Sequence, residues 1–144
     1  MAHNNLRPSR SSRYRQGYID PSHCKKYVGD TPITYRSSWE KTFVQWLERS
    51  PKVEAWGSES VPISYIYSDG KQHTYYPDFV VKMNGEIYII EIKPSNQCRP
   101  PSKPHPYAIE QWNKNQAKWS AAREWCEERG MKFMIITENT IGKL

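Results

Sequence analysis

The feature that most constrains this chain is a tight turn between two apolar runs, within residues 76–94. Asn84-Gly85 joins these runs, and this dipeptide is the strongest short-range signal for a two-residue β-hairpin loop. A loop of that length fixes the strand register, so that Met83 faces Glu86. The sequence therefore predicts a hairpin whose facing residues can be named in advance.

The same register brings charged side chains together at the open end of the hairpin. Asp78 faces Glu91, and directly opposed like charges destabilise a strand pair. Lys93 lies two residues beyond Glu91 and projects from the same face. Two carboxylates beside a lysine indicate a divalent-cation site, because a bound cation would offset their repulsion.

These residues resemble a known nuclease motif. Pro77-Asp78, followed by Glu91-Ile92-Lys93, is similar to the PD-(D/E)xK motif of the restriction-endonuclease-like nucleases. The resemblance implies that Asp78, Glu91 and the Ile92 carbonyl hold Mg²⁺, and that Lys93 assists the attacking water. Oxygen ligands without His or Cys suit Mg²⁺, and Mn²⁺ is expected to replace it.

A fourth candidate lies on the first predicted helix, which begins at Ser37 or Ser38 and ends near Arg49. Glu40 follows the edge of the apolar stripe of this helix, so it is a candidate catalytic group. It also completes a capping box with Ser37, in which it would only satisfy backbone donors. Residues 35–40 resemble the opening of the TnsA-type nucleases and their phage head-completion relatives. That resemblance implies that Glu40 completes the metal site, and it can serve as cap and ligand at once.

The similarity extends from about Tyr35 to Thr137. The TnsA branch carries Gln where this chain has Glu91, so the resemblance favours the phage-type or general nuclease branch over a transposase subunit.

The remaining periodicity predicts the order of elements. We expect strands over 53–56, 61–67 and 72–81, a long helix over 107–129 and a buried central strand over 131–137. With the first helix and the hairpin, this is an α/β fold. It matches the αβββαβ core of the restriction-endonuclease-like nucleases, a mixed central sheet flanked by helices.

The charge distribution divides the chain into a basic, loop-rich N-terminal arm, residues 1–34, and a nuclease domain, residues 35–144. The net charge is +6, and residues 1–36 hold seven Lys or Arg against two Asp, a net +5. A basic arm is typical of polyanion binders, although a solvated tail has the same composition. The candidate DNA contacts in this part are Arg7, Arg10, Arg13, Arg15, Lys25, Lys26 and Arg36.

Further candidate DNA contacts follow the metal site. Residues 94–106 hold five prolines and are expected to form an irregular basic loop. There Arg99 and Lys103 either meet DNA or belong to a plain connector. On the long helix, Lys118 either lends its charge to the cleft or is a surface lysine. Glu59, between the first two strands, either supports the site as a neighbouring acid or is an exposed loop residue, and the exposed loop residue is expected.

These features favour a divalent-metal-dependent DNA endonuclease, a Mg²⁺-dependent deoxyribonuclease that hydrolyses phosphodiester bonds in double-stranded or branched DNA. The resemblance implies a role in phage head completion, virion assembly or DNA processing, with head or portal proteins or a second copy as partners. The alternatives are a TnsA-like transposon-end nuclease, a non-catalytic DNA-binding head or connector protein, and a protein-interaction module built on the prolines and tryptophans.

The sequence has no apolar run of membrane length and no signal-peptide core. Its three cysteines are widely spaced, as in proteins of a reducing compartment. The expected location is therefore cytoplasmic, which for a viral protein means the host cytoplasm or the virion.

Overall fold

The computed structural model of the chain describes residues 17–29 and 32–144. The strands are β1 Gly17–Ile19, β2 Ile33–Tyr35, β3 Val53–Ser58, β4 Ile63–Ile66, β5 Gln72–Tyr75, β6 Phe79–Met83, β7 Glu86–Ile92 and β8 Lys132–Ile136. The α-helices are α1 Ser38–Arg49, α2 Pro106–Glu128 and α3 Glu138–Ile141. No helix in the described part of the chain is long and apolar enough to cross a membrane.

The central sheet has four strands in the order β3-β6-β7-β8. The β6–β7 hairpin turns at Asn84 and Gly85, whose φ angles of 54° and 79° are the positive values that such a turn requires. Met83 pairs with Glu86 and Phe79 with Ile90, so the predicted register is confirmed.

Strand β8 runs parallel to β7, and α2 connects the two strands as a helical crossover. The predicted parallel pairing is therefore confirmed. The predicted central position is wrong, because β8 forms one edge of the sheet. Its apolar run is explained by packing of Phe133 and Ile135 on one face and Ile136 on the other.

The hairpin β4–β5 forms a second, two-stranded sheet between β3 and β6 in the chain. The sequence predicted one strand over 72–81, but the chain leaves its ladder at Tyr75 and re-enters the central sheet at Phe79. Pro77 lies in this break, consistent with its missing backbone donor. Without the inserted hairpin the order is α1, β3, β6, β7, α2, β8, so the predicted αβββαβ core is confirmed.

Two apolar clusters cover the two faces of the sheet. Helix α1 packs Phe43, Val44 and Leu47 into the first cluster, together with Ile90 and Ile92. The second cluster joins α2 to the β4–β5 hairpin and contains Ile63, Tyr65, Tyr75, Trp119 and Ala122. Glu91 lies between Ile90 and Ile92 in sequence, so its side chain projects toward the second cluster.

Residues 17–29 and 32–35, which precede α1, have more regular structure than the predicted loop-rich arm. Strand β1 pairs with β2, and buried Cys24 and Ile33 belong to the first apolar cluster. Tyr27 bridges to Trp56 of β3. Residues 17–29 and 32–34 are thus part of the folded core, and residues 1–16 lie outside the described residues. The predicted division at residue 34 between an N-terminal arm and a nuclease domain stays a prediction.

Candidate active site

The break between β5 and β6 places Asp78 directly beside Glu91. The backbone N–H of Ile92 donates to Asp78 Oδ2 at 2.8 Å, and the Asp78 N–H donates to Glu91 Oε1 at 3.3 Å. The two carboxylates are therefore held by each other's strands. The hairpin register that the sequence predicts places Asp78 opposite Glu91, and the structure has this register.

Glu91 has two further partners. The Tyr75 hydroxyl donates to its Oε1 at 2.7 Å, and Lys93 Nζ lies 3.6 Å from its Oε2. Glu91 is 7% exposed, so this carboxylate is fixed by buried contacts rather than by water. The sequence did not indicate a role for Tyr75. Tyr75 lies three residues before Asp78, and this spacing does not predict a shared site, because β5 ends at Tyr75 and β6 begins only at Phe79.

Glu40 reaches the same pocket from α1. Ser37 is the N-cap, and its Oγ accepts from the Glu40 N–H at 3.3 Å. In return Glu40 Oε2 accepts from the Arg36 N–H at 2.7 Å, one residue before the usual capping-box donor. The cap is therefore real, and the same carboxylate lines the pocket.

We call this concavity, of about 300 Å³, the acidic pocket. It brings together the four predicted catalytic residues, and Ile92 also lines it. Its lining residues are Arg36, Ser37, Trp39, Glu40, Asp78, Glu91, Ile92, Lys93, Pro94 and Gln97.

The carboxyl groups of the acidic pocket are hard to ionise together. Burial, followed by the charges of Glu91 and Glu40, raises the pKa of Asp78 well above its usual range. Burial also raises the pKa of Glu91, against the opposing effects of Lys93 and Tyr75, and it raises that of Glu40. Raised pKa values in a cluster of carboxyl groups are typical of sites that share protons or bind a cation.

The donor set fits a divalent cation with oxygen ligands. Within residues 17–29 and 32–144, no three His, Cys, Asp or Glu side chains form a ready cluster for a metal ion. Two adjacent carboxylates still suit Mg²⁺, which usually keeps several waters and takes one or two carboxylates plus substrate phosphate. Asp78 and Glu91 provide that pair, whereas one Glu40 oxygen is engaged by the Arg36 backbone.

Two charged residues, Arg36 and Glu59, pair with each other at the edge of the pocket. Glu59, expected as an exposed loop residue, pairs with Arg36 at 2.5 Å, and its N–H donates to the Asp78 carbonyl at 3.0 Å. It adopts φ 48°, a conformation that is uncommon outside glycine. The Arg36 side chain, a predicted DNA contact, is therefore paired with a carboxylate at the pocket rim.

Lys118 lies close to the pocket, as one of its two predicted interpretations had it. Its Nζ is 5.6 Å from the centre of the Tyr75 ring. Burial and the charge of Lys93 lower the pKa of Lys118, while Glu91 acts in the opposite direction. The half-buried position sets Lys118 apart from an ordinary surface lysine.

The other predicted DNA contacts are distributed differently. Lys26 Nζ donates to the carbonyls of Ser50 and Leu47, so it caps the C-terminus of α1, while Lys25 is exposed. Arg99 and Lys103 line a neighbouring cavity. The four remaining arginines, Arg7, Arg10, Arg13 and Arg15, lie outside the described residues.

Comparison with known proteins places this geometry in a family. Residues 50–138 match the family model described as TnsA-like endonuclease N terminal. The chain is also 40% identical to the head completion nuclease of Enterobacteria phage T4 over an alignment of 137 residues. The match covers 86% of this chain and 91% of that protein. The chain therefore belongs to the TnsA-like endonucleases of the restriction-endonuclease-like nuclease superfamily.

Proposed function

We propose that this protein is a Mg²⁺-dependent DNA endonuclease that acts during phage head completion. The observation that carries the proposal is the juxtaposition of Asp78 and Glu91 with Lys93 beside them, inside a pocket where burial disfavours ionised carboxyls. Membership of the endonuclease family adds the reaction class.

The electrostatics of the acidic pocket support a metal-dependent reaction. A DNA phosphate brought next to Asp78 and Glu91 would be repelled, because like charges in a buried site are screened weakly. When bound there, a divalent cation would offset that repulsion, orient a water molecule and stabilise charge on the attacked phosphate. Mg²⁺ is the first choice and Mn²⁺ the expected substitute, given an all-oxygen donor set.

Each residue of the pocket then has a distinct role. Asp78, Glu91 and the Ile92 carbonyl would hold the cation, and Tyr75 orients Glu91 through its hydroxyl. Glu40 would contact the cation directly or through one of its waters, because its Oε2 already accepts from Arg36. Lys93 carries a positive charge 3.6 Å from Glu91, suited to holding the nucleophilic water and neutralising the phosphate.

The biological setting follows from the relative named above. A head completion nuclease of phage T4 is similar over nearly its whole length, which favours a role in head completion. DNA would be the substrate, with head or portal proteins or a second copy as partners, in the host cytoplasm or the virion. A transposon-end nuclease is the second candidate, since the matching family model is TnsA-like.

The test is cleavage of supercoiled plasmid and branched DNA in Mg²⁺, Mn²⁺, Ca²⁺ or EDTA. We expect wild-type protein to cut in Mg²⁺ or Mn²⁺ and Asp78→Asn to be inactive in every condition. Asp69→Asn is the matched control, because Asp69 lies in the β4–β5 turn and pairs with His73. No cleavage by the wild type, with DNA binding intact, would favour a structural DNA-binding protein; cleavage in EDTA would exclude the metal.

A further inference from the structure

A second concavity of about 530 Å³, which we call the loop cavity, opens beside the acidic pocket. The proline-rich loop forms one wall, and the first turns of α2 form the other. Lys93 and Gln97 line both concavities, so a ligand in the loop cavity would lie next to the reacting phosphate. Its volume is within the range of about 300–1,000 Å³ typical of sites for small organic ligands.

The loop that forms the cavity is anchored at its start. Ser95 donates to Glu138 of α3 through its backbone N–H at 2.8 Å and through its Oγ at 2.5 Å. A short 3₁₀ helix over Ser95–Cys98 follows, and the adjacent prolines Pro100 and Pro101 restrict the backbone further. The wall is therefore built before any ligand binds, as binding sites usually are.

The polar lining of the loop cavity includes four side chains with an amide group. Asn115 is 7% exposed, and no hydrogen bond joins its amide to another described residue. Gln111 lies one helical turn earlier on the same face of α2, and Gln97 faces them from the loop. Trp119 Nε1 is the one buried side-chain polar atom without a partner among the described residues, so the Asn115 amide reaches the cavity surface and its donor and acceptor groups are available to a ligand.

The apolar and charged parts of the lining complete the pattern. Trp112 is half-buried on α2, and Tyr107 at the start of the helix is 67% exposed, so both rings offer planes for stacking. Arg99 and Lys103 are exposed loop residues that carry positive charge at the same cavity. Amides, aromatic rings and cations together match a base, its sugar and its phosphates.

We infer that the loop cavity receives a single unpaired nucleotide next to the cut, so that the enzyme selects DNA with unpaired bases. This inference rests on the proposed function, since it names the substrate form of the same site. A paired base cannot enter such a concavity, because its Watson–Crick edge and both its faces are occupied in the duplex. An unpaired base presents those edges to the amides of Gln111 and Asn115, and its faces to Trp112 or Tyr107.

The experiment compares a blunt duplex with the same duplex carrying a single-stranded flap, using the full-length protein. The ratio of kcat/KM on the two substrates in Mg²⁺ is the readout, and the wild type is expected to favour the flap about tenfold or more. Asn115→Ala and Trp112→Ala should bring that ratio close to one. Trp112→Phe, which keeps a stacking plane, and Asn113→Ala, an exposed neighbour on α2, should retain the wild-type ratio.

A parallel binding measurement separates the two proposals. Fluorescence anisotropy in Ca²⁺ reports the affinity for flap and duplex without cleavage, and circular dichroism checks that each variant is folded. Cleavage of both substrates at equal rates by the wild type would overturn the inference and leave the nuclease proposal intact. Absent cleavage, together with a flap preference in binding that Asn115→Ala removes, would support the inference and contradict the nuclease proposal.

Discussion

The acidic pocket and the loop cavity lie side by side and share Lys93 and Gln97, but their polar groups are held in opposite ways. In the acidic pocket Asp78 Oδ2 accepts from the Ile92 N–H and Glu91 Oε1 accepts from the Asp78 N–H, although burial disfavours the charge of both carboxylates. In the loop cavity no hydrogen bond to another described residue holds the amide of Asn115, which is open to the cavity.

The difference indicates that bond breaking and substrate selection are assigned to separate surfaces. The fold fixes the acidic pocket in advance, at an electrostatic cost that a cation would relieve. The loop cavity offers neutral and positive groups that suit the substrate itself. Lys93 lines both concavities, so its loss should reduce the cleavage rate most.

The largest effect is expected for Lys93→Ala, which removes the only cation that the structure places within 4 Å of Glu91 in its described part. The rate should fall about 10²–10³-fold, as when one preorganised transition-state donor is lost. Single-turnover cleavage in saturating Mg²⁺ measures it. Lys132→Ala is the control, because Lys132 pairs with Glu86 at the far end of the same sheet; equal rates for the two variants would remove Lys93 from the chemistry.

The next effect concerns the basic residues 1–16. Their positive charge would attract DNA to the acidic pocket, whose carboxylates would otherwise repel the DNA phosphates. Deleting them removes four arginines, so the slope of log affinity against log salt should decrease by about 3 to 4 for duplex DNA. Filter binding between low and physiological salt measures the slope. A deletion to residue 30 is unsuitable, because it also removes β1 and the buried Cys24.

Replacing the same four arginines by glutamine in the full-length chain is the matched control for that deletion. It should reproduce the smaller slope if charge, rather than chain length, is responsible. An unchanged slope in both variants would show that the arm does not contact DNA.

A smaller loss is expected for Tyr75→Phe, which removes the hydroxyl that donates to Glu91 at 2.7 Å. Because this bond lowers the pKa of Glu91, its removal should raise that pKa further. Activity should drop about tenfold, and the acid limb of the pH–rate profile should shift to higher pH. Tyr65→Phe is the control, since that buried ring belongs to the same cluster without bonding to Glu91; an identical profile for both variants would argue against the role of Tyr75.

The smallest effect distinguishes two adjacent lysines that the sequence treated alike. Lys26 caps α1 through the Ser50 and Leu47 carbonyls, whereas the Lys25 side chain is exposed. Lys26→Ala should lower the free energy of unfolding by about 1 kcal/mol, measured by denaturant titration. Lys25→Ala should leave it unchanged, and a larger loss of DNA affinity in Lys26→Ala would restore Lys26 as a DNA contact.

The geometry could be predicted from the sequence where local chemistry determines it. Asn84-Gly85 fixed the hairpin register and thereby the pairing of Asp78 with Glu91, and Ser37 with Glu40 marked the helix start. The prediction was incomplete where distant segments meet. Tyr75 contacts Glu91 because the chain leaves one sheet at Tyr75, and Glu59 contacts Asp78 because the β3–β4 connection folds back on it.

Other errors have the same cause. The edge position of β8 depends on how the sheet ends rather than on its apolar run, and Lys26 is engaged because the N-terminal segment packs against the end of α1. Neither relation is local in sequence, so composition and periodicity could not reveal it.

The central claim is that the acidic pocket is complete only with a divalent cation. Asp78 has a raised pKa in the folded chain, so the folded protein binds more protons than the unfolded chain above the ordinary carboxyl pKa of about 4. Its contribution to stability is therefore present at low pH and is lost as pH rises through the folded pKa. Asn in its place keeps an oxygen that can accept from Ile92 and removes the buried charge.

The most direct test is thermal unfolding of wild type and Asp78→Asn at pH 8, in EDTA and in 10 mM Mg²⁺ (roughly the excess needed for a weak site). We expect that Asp78→Asn melts above the wild type in EDTA, and that Mg²⁺ raises the Tm of the wild type alone. If Asp78→Asn melts below the wild type in EDTA and Mg²⁺ shifts both equally, the pocket is not a cation site.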